Sequence, residues 1–223
     1  MSRVSAVPER AVVTVNEIFY SIQGEATDVG RPCVFVRLSG CDLRCRWCDT
    51  AYAFHEGNTM SVEEVVAQVA VRGCPLVLVT GGEPLLQPAT PVLVRRLVES
   101  GHEVLVETGG HRDIRELDPR ARIVLDVKCP GSGESSRNRW ENLDQLRAGD
   151  AVKFVIADRR DYEWARTFLR EHPTAAGVTA FFSPVHGDLS SRDLAAWILE
   201  DGLPVRLQLQ IHKLIWGADR RGV

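Results

Sequence analysis

Three cysteines, Cys41, Cys45 and Cys48, fall close together as C-x3-C-x2-C in the stretch GCDLRCRWCDT. Thiolates are the soft ligands that iron-sulfur clusters require, and clusters that only carry electrons are usually held by four of them. Three thiolates leave one iron without a protein ligand and free to chelate a small molecule, which implies chemistry and not electron storage. The same thiols could instead hold zinc by borrowing Cys33, Cys74 or Cys129, or could simply be buried. Those other three cysteines each stand alone, as small core residues do.

Two further stretches carry reactive or recognising groups. Gly81-Gly82-Glu83-Pro84 follows the apolar run LVLVT, and two glycines ending a strand let a ligand approach the backbone closely. Upstream, EIFYSIQGE sets the amide of Gln23 beside the carboxylate of Glu25. An amide can donate to and accept from a ring edge, and a carboxylate can accept from an amino group and an adjacent ring N–H, as a guanine-like or pterin edge presents. A plain turn ahead of Gly30 would use the same residues.

The elements that must position these groups alternate in type. Short apolar runs predict strands at Pro32–Leu38, Leu76–Thr80, Val104–Glu107, Ile123–Val127, Val152–Ile156, Val178–Phe182 and Val205–Ile211. Between them, Ser61 followed by Glu64 forms a capping-box signature, with Val62, Val65, Val66 and Val69 at helical spacing. Further helices are expected at Pro88–Ser100, Asp161–Glu171 and Ser191–Glu200, and a polar Gly- and Ser-rich loop at Pro130–Arg139. This order predicts an α/β chain of one domain, a partial βα barrel with about six or seven strands. Cys41, Gly81–Pro84, Thr108–Gly110, Lys128–Pro130 and Ser183–Gly187 each follow a strand, so they should share the mouth at the carboxyl ends.

Bulk properties exclude more than they identify. The chain has 223 residues, 44% hydrophobic and 26% charged, which suits one folded domain with a sizeable core. A formal net charge of -3 argues against direct nucleic-acid binding and favours a small-molecule substrate. The N-terminal stretch lacks the apolar segment of a secretory signal and no run approaches membrane-spanning length, so a cytoplasmic protein is expected.

The cysteine spacing, Trp47 ahead of Cys48, and the later Gly-Gly-Glu-Pro together resemble the radical S-adenosylmethionine (SAM) superfamily. Within it, IFYSIQGE followed by G-R-P, F-V-R-L-S-G-C, C-D-T, T-G-G-E-P and Q-I-H-K-L-I-W-G looks like the 7-carboxy-7-deazaguanine synthase family over nearly the whole chain. The resemblance implies a [4Fe-4S] cluster on the three cysteines, SAM on its open iron, and Mg2+ touched by Thr50. It also implies a pterin substrate, 6-carboxy-5,6,7,8-tetrahydropterin, contracted with loss of ammonia to 7-carboxy-7-deazaguanine, a queuosine precursor.

By the same resemblance Ile22, Gln23, Gly24, Glu25, Arg37, Thr80 and His212 would meet the substrate, with Arg37 gripping its carboxylate. Trp47, Gly82, Glu83, Asp126, Lys128 and Ser183 would contact SAM, and Glu107 would add a polar contact. His212 is read within the last strand, where a core histidine is the plain alternative. The chain departs from many relatives at Gly109, where they carry Asn, and at Asp126-Val127-Lys128, where they carry Ser-Pro-Lys. Relatives are homodimers reduced by a donor such as flavodoxin, and both are expected here. Rival readings are an activating enzyme that places a glycyl radical on a protein partner, and a non-catalytic iron-sulfur or zinc protein.

Overall fold

The computed structural model describes residues 11–223. The expectation about a signal sequence falls mainly on residues 1–10, outside the described residues. One nine-stranded sheet runs through the molecule in the order β3-β1-β2-β4-β5-β6-β7-β8-β9. Its strands are β1 (Val12–Ile22), β2 (Pro32–Leu38), β3 (Asn58–Ser61), β4 (Leu76–Gly81), β5 (Glu103–Thr108), β6 (Arg122–Val127), β7 (Ala151–Ile156), β8 (Thr179–Pro184) and β9 (Arg206–Leu207). From β2 through β9 every neighbouring pair is parallel, and β1 and β3 add an antiparallel flank. The expected partial barrel is therefore present, with two more strands than the sequence reading counted. Both lie in the flank, where β1 is only half covered and lacks the continuous apolar run of a doubly buried strand.

The helices cover the outer face. Helix α1 (Val62–Ala70) starts where expected: Ser61 Oγ accepts from the Glu64 N–H at 3.2 Å, and the Glu64 carboxylate accepts from the Ser61 N–H at 2.7 Å. Helix α2 (Thr90–Glu99) buries Leu93, Val94 and Leu97. Helix α3 (Arg159–Glu171) is capped by Asp158, and α4 (Ser191–Asp201) ends at Gly202 in the left-handed region, φ 57°. The crossovers from β5 to β6 and from β6 to β7 contain no α-helix, and Pro130–Arg139 is a loop with two 3-10 turns.

The last expected strand, Val205–Ile211, is a correction. Only Arg206–Leu207 pair with β8, and Ile211–Trp216 form helix α5. The alternation of Leu207, Leu209 and Ile211 imitates a strand, but polar contacts bend the chain away. Gln208 Oε1 accepts from the Ala26 N–H at 2.7 Å, and Gln210 Nε2 donates to Glu25 at 2.8 Å. His212 therefore stands on a helix and not in a strand.

Alternation sorts each parallel strand into two faces. Val36, Val79, Val106, Leu125, Phe154 and Phe182 face the helices and join the main core. The other face turns inward and carries Arg37, Thr80, Glu107, Asp126, Lys153 and Ser183 around one cavity. Beneath that ring the turn after β1 closes the floor, where Ala26 packs with Val124, Ala151 and Phe181 in a separate small core. Ala26 adopts φ 58°, a left-handed conformation that costs a non-glycine residue energy and persists only where the surroundings hold it. Here they do: Asp28 accepts from Arg31 at 2.5 Å and from Arg122 at 2.6 Å, tying the turn to the start of β6.

Candidate active site

The cavity holds about 890 Å³ and opens at the carboxyl ends of the parallel strands. Cys41, Cys45 and Cys48 line it from the loop after β2, and all three are free thiols. Burial pushes all three thiols above their ordinary value, Cys45 to about 11, so each gives up a proton when it ligates metal. None of the other cysteines lines the cavity. Cys33 and Cys74 lie at the opposite, amino ends of β2 and β4, roughly five residues of 3.3 Å rise away. Cys129 is buried in the main core.

The loops around the thiols are held by close backbone packing and buried charge. A Cβ on Gly82 would lie 2.4 Å from the Gly40 carbonyl oxygen and 2.7 Å from Cys41 Cβ. Only glycine lets the Gly-Gly-Glu-Pro turn lie against the cysteine loop this closely. Glu83, expected to contact SAM, is fully buried behind the cavity instead. Its carboxylate accepts from Thr108 Oγ1 at 2.8 Å, the Gly109 N–H at 2.8 Å and the Leu85 N–H at 2.9 Å, joining the loops after β4 and β5. Within the cysteine loop, Asp42 accepts from Arg112 at 2.6 Å and Arg137 at 2.9 Å and lies 2.7 Å from His111 Nε2. Despite partial burial, His111 and Arg112 hold the Asp42 carboxyl at about 2.

Trp47, Gly82, Asp126, Lys128 and Ser183 all line the cavity. Lys128 Nζ lies 2.9 Å from Asp126 Oδ2, and Asp126 Oδ1 is buried with no hydrogen-bond partner among the described residues. An open acceptor of that kind in a lined cavity is available to a ligand. Lys128 is largely buried, and although burial opposes its charge the Asp126 carboxylate outweighs that and raises its pKa.

Of the residues expected to meet the substrate, Ile22, Gln23, Glu25, Arg37, Thr80 and His212 line the same cavity. Arg37 and Thr80 are register partners on β2 and β4, which fixes them side by side. Arg37 donates through Nε to Glu17 at 2.7 Å, and its guanidinium stands 5.8 Å from the Phe19 and Tyr52 ring centroids. Tyr52 donates to the same Glu17 oxygen at 3.0 Å. Glu25 accepts from Lys153 at 3.0 Å, Gln208 at 2.7 Å and Gln210 at 2.8 Å. Gly24 is not a wall residue: His212 packs directly over it, and a Cβ there would meet His212 Nδ1 at 2.2 Å. Burial pushes the His212 imidazolium pKa down, favouring the neutral ring. Thr50 donates to Asp49 at 2.9 Å at the cavity wall.

Lys153 is the residue that sequence reading missed. It is buried in the cavity, pairs with Glu25 and Glu107, and lies 3.8 Å from Asp126. Burial lowers its pKa, and the Glu107 and Glu25 carboxylates more than reverse that. Burial outweighs Lys153 at Glu107 and raises that carboxyl, whereas at Glu25 the Lys153 ammonium and the Gln210 hydrogen bond overcome burial and lower it. The available signal was a lysine inside the apolar run AVKFVI, where an inward polar group needs partners.

Residues 35–128 match the radical SAM superfamily model. The chain is 46% identical to the 7-carboxy-7-deazaguanine synthase of Koribacter versatilis over 94% of this chain and 99% of that one. It is 44% identical to the 7-carboxy-7-deazaguanine synthase of Chlorobaculum tepidum over 96% of this chain and 98% of that one. The fold is similar to the crystal structure of QueE from Escherichia coli, with TM-score 0.75, 22% identity, and coverage of 89% and 94% of the two chains.

A three-cysteine loop at the mouth of a partial barrel, with a Gly-Gly turn packed against it, defines a radical SAM enzyme, and the superfamily brings a [4Fe-4S] cluster and SAM. Within that class, the chain belongs to the 7-carboxy-7-deazaguanine synthase family. It carries that family's activity, a step of queuosine biosynthesis. The donor set fits: three free thiols face one cavity, a glycine clears the backbone beside them, and Asp126 keeps a buried acceptor open. Among the described residues no helix is long and apolar enough to cross a membrane.

Proposed function

We propose that the enzyme binds 6-carboxy-5,6,7,8-tetrahydropterin in this cavity and contracts its ring with loss of ammonia, giving 7-carboxy-7-deazaguanine. The observation that carries the reading is the polar distribution around the inward ring. Arg37 keeps its two terminal nitrogens for the cavity, because only Nε is engaged by Glu17. A guanidinium presented in that way suits a carboxylate bidentately, which places the substrate's acid group beside Arg37 and Thr80. Gln23, with Glu25, then reads the amino-pyrimidinone edge at the far end.

Glu25 is already engaged by three protein donors, so it offers at most one further acceptor site. Its larger contribution is to fix Gln208, Gln210 and the main chain of the turn, leaving Gln23 as the principal reader. Thr50 offers a single hydroxyl at the cavity wall, a hard oxygen that suits Mg2+ completed by substrate oxygens. When bound, the cluster and SAM supply a 5'-deoxyadenosyl radical for hydrogen-atom abstraction. The residues of the chain aim one substrate C–H toward it and exclude water, so the catalysis owed to the protein is orientation. A homodimer in the cytoplasm reduced by a flavodoxin-like donor completes the proposal.

Protein reconstituted without oxygen and supplied with SAM, reductant, Mg2+ and the carboxypterin should release ammonia and the deazapurine in equal amounts. Cluster assembly with SAM binding but no turnover of that pterin would defeat the substrate assignment.

A further inference from the structure

Helix α5 and the residues after it cover the cavity without a hydrophobic anchor. None of residues 211–216 is buried, and Leu214, Ile215 and Trp216 are turned outward. Nevertheless Ala218 to Val223 form part of the cavity wall. A segment without apolar burial is held by its polar contacts, because nothing else offsets the entropy of ordering it.

Most of those contacts fall on Asp49 and the turn after β1. Lys213 Nζ donates to Asp49 Oδ2 at 2.8 Å, and the lysine side chain is only 9% exposed. Gln210 Nε2 donates to Glu25 at 2.8 Å and approaches the same Asp49 oxygen at 3.3 Å. The Ile211 N–H donates to the Gly24 carbonyl at 3.2 Å. Further along, the Arg221 guanidinium lies 3.7 Å from the Tyr52 ring centroid. Asp49 directly follows Cys48, so the C-terminal segment is pinned at once to the substrate-reading turn and to the cysteine loop.

We infer that Lys213 is a positioning residue whose ion pair with Asp49 latches the C-terminal segment across the cavity and seals the radical chemistry from solvent. A second ion pair of the segment, Arg221 with Glu56 at 3.5 Å, is longer and more exposed, whereas Lys213–Asp49 joins α5 to the loop that carries the cluster ligands. The latch itself is independent of the substrate; the sealing role rests on the proposed pterin reaction. In that reaction SAM is regenerated, so free 5'-deoxyadenosine accumulates only when the radical is quenched outside the productive cycle.

The test compares the parent full-length protein with Lys213→Met and Lys213→Arg by two measurements. Amide hydrogen exchange, which needs no substrate, should rise about tenfold across residues 211–217 in Lys213→Met, the effect of losing one charge-assisted hydrogen bond, and stay near the parent level in Lys213→Arg. Unchanged exchange in Lys213→Met, equal acceleration in Lys213→Arg, or acceleration spread over the whole chain overturns the latch. With SAM, reductant and the carboxypterin, Lys213→Met should release about tenfold more 5'-deoxyadenosine per deazapurine formed, and Lys213→Arg should not. Faster local exchange with no change in that ratio overturns the sealing role while leaving the latch in place. Absence of pterin turnover in the parent would refute the substrate reading and with it the sealing role, but would leave the exchange result to decide the latch.

Discussion

Lys153 Nζ and Glu25 Oε2 meet 3.0 Å apart inside the barrel, so β7 is joined directly to the turn after β1. The same ammonium serves Glu107. Replacing Lys153 by Met leaves two largely buried carboxylates without their cation. Breaking a buried pair from one side costs about 3–5 kcal/mol, and denaturant unfolding of the variant should show a loss of that size. The deficit should shrink as pH falls, because the stranded carboxyls can then take up protons. A variant as stable as the parent at neutral pH would contradict the network.

Arg37 offers the test of carboxylate recognition. Lysine keeps the charge but loses the planar fork, so Arg37→Lys should raise KM for the pterin by roughly tenfold or more. SAM binding, measured separately by calorimetry, should be little changed. Equal weakening of both ligands would mean that Arg37 supports the whole mouth and not the substrate alone.

Gly82 is constrained by space. In Gly82→Ala the new methyl would lie 2.4 Å from the Gly40 carbonyl oxygen, a backbone atom that cannot rotate away. The cysteine loop must shift, with a stability loss of about 1–3 kcal/mol typical of overpacking. Iron content after reconstitution should fall as well, and full retention of four irons at parent stability would refute the close approach.

Asp28 gives the floor a defined pH dependence. Although burial opposes ionisation, hydrogen bonds from Arg122 and Arg31 hold its carboxyl below the ordinary 3.8. A carboxyl lowered on folding adds stability above its unfolded value and loses it as pH falls through the folded one. The contribution is therefore complete above pH 3.8 and disappears below it. Asp28→Asn should cost about 1–2 kcal/mol at neutral pH, with both arginines left partly solvated, and the two unfolding curves should converge in acid. Parallel acid profiles would show that Asp28 carries no such load.

The parallel part of this fold was legible because strands covered on both faces are almost continuously apolar, as Leu76–Thr80 and Ile123–Val127 are. Placing Cys41, Gly82, Lys128 and Ser183 at strand ends was enough to assemble the mouth. The flank was not legible, since β1 mixes Asn16, Glu17 and Ser21 with apolar residues and is half covered. Helix α5 was misread because its outcome depends on Glu25 and Ala26, 183 and 182 residues upstream of Gln208. Motif membership also hid roles that only three dimensions reveal. Glu83 and Gly24 sit in recognisable stretches, yet one braces two loops from behind and the other makes room for His212.

The left-handed turn at Ala26 has a consequence for ligand traffic. By stoppering the lower end of the lumen, it turns a channel into a cul-de-sac. Whatever reaches the blind end must leave on the side from which it entered. Loading and unloading are thereby set by topology, and the deazapurine must depart by the doorway through which the next pterin arrives.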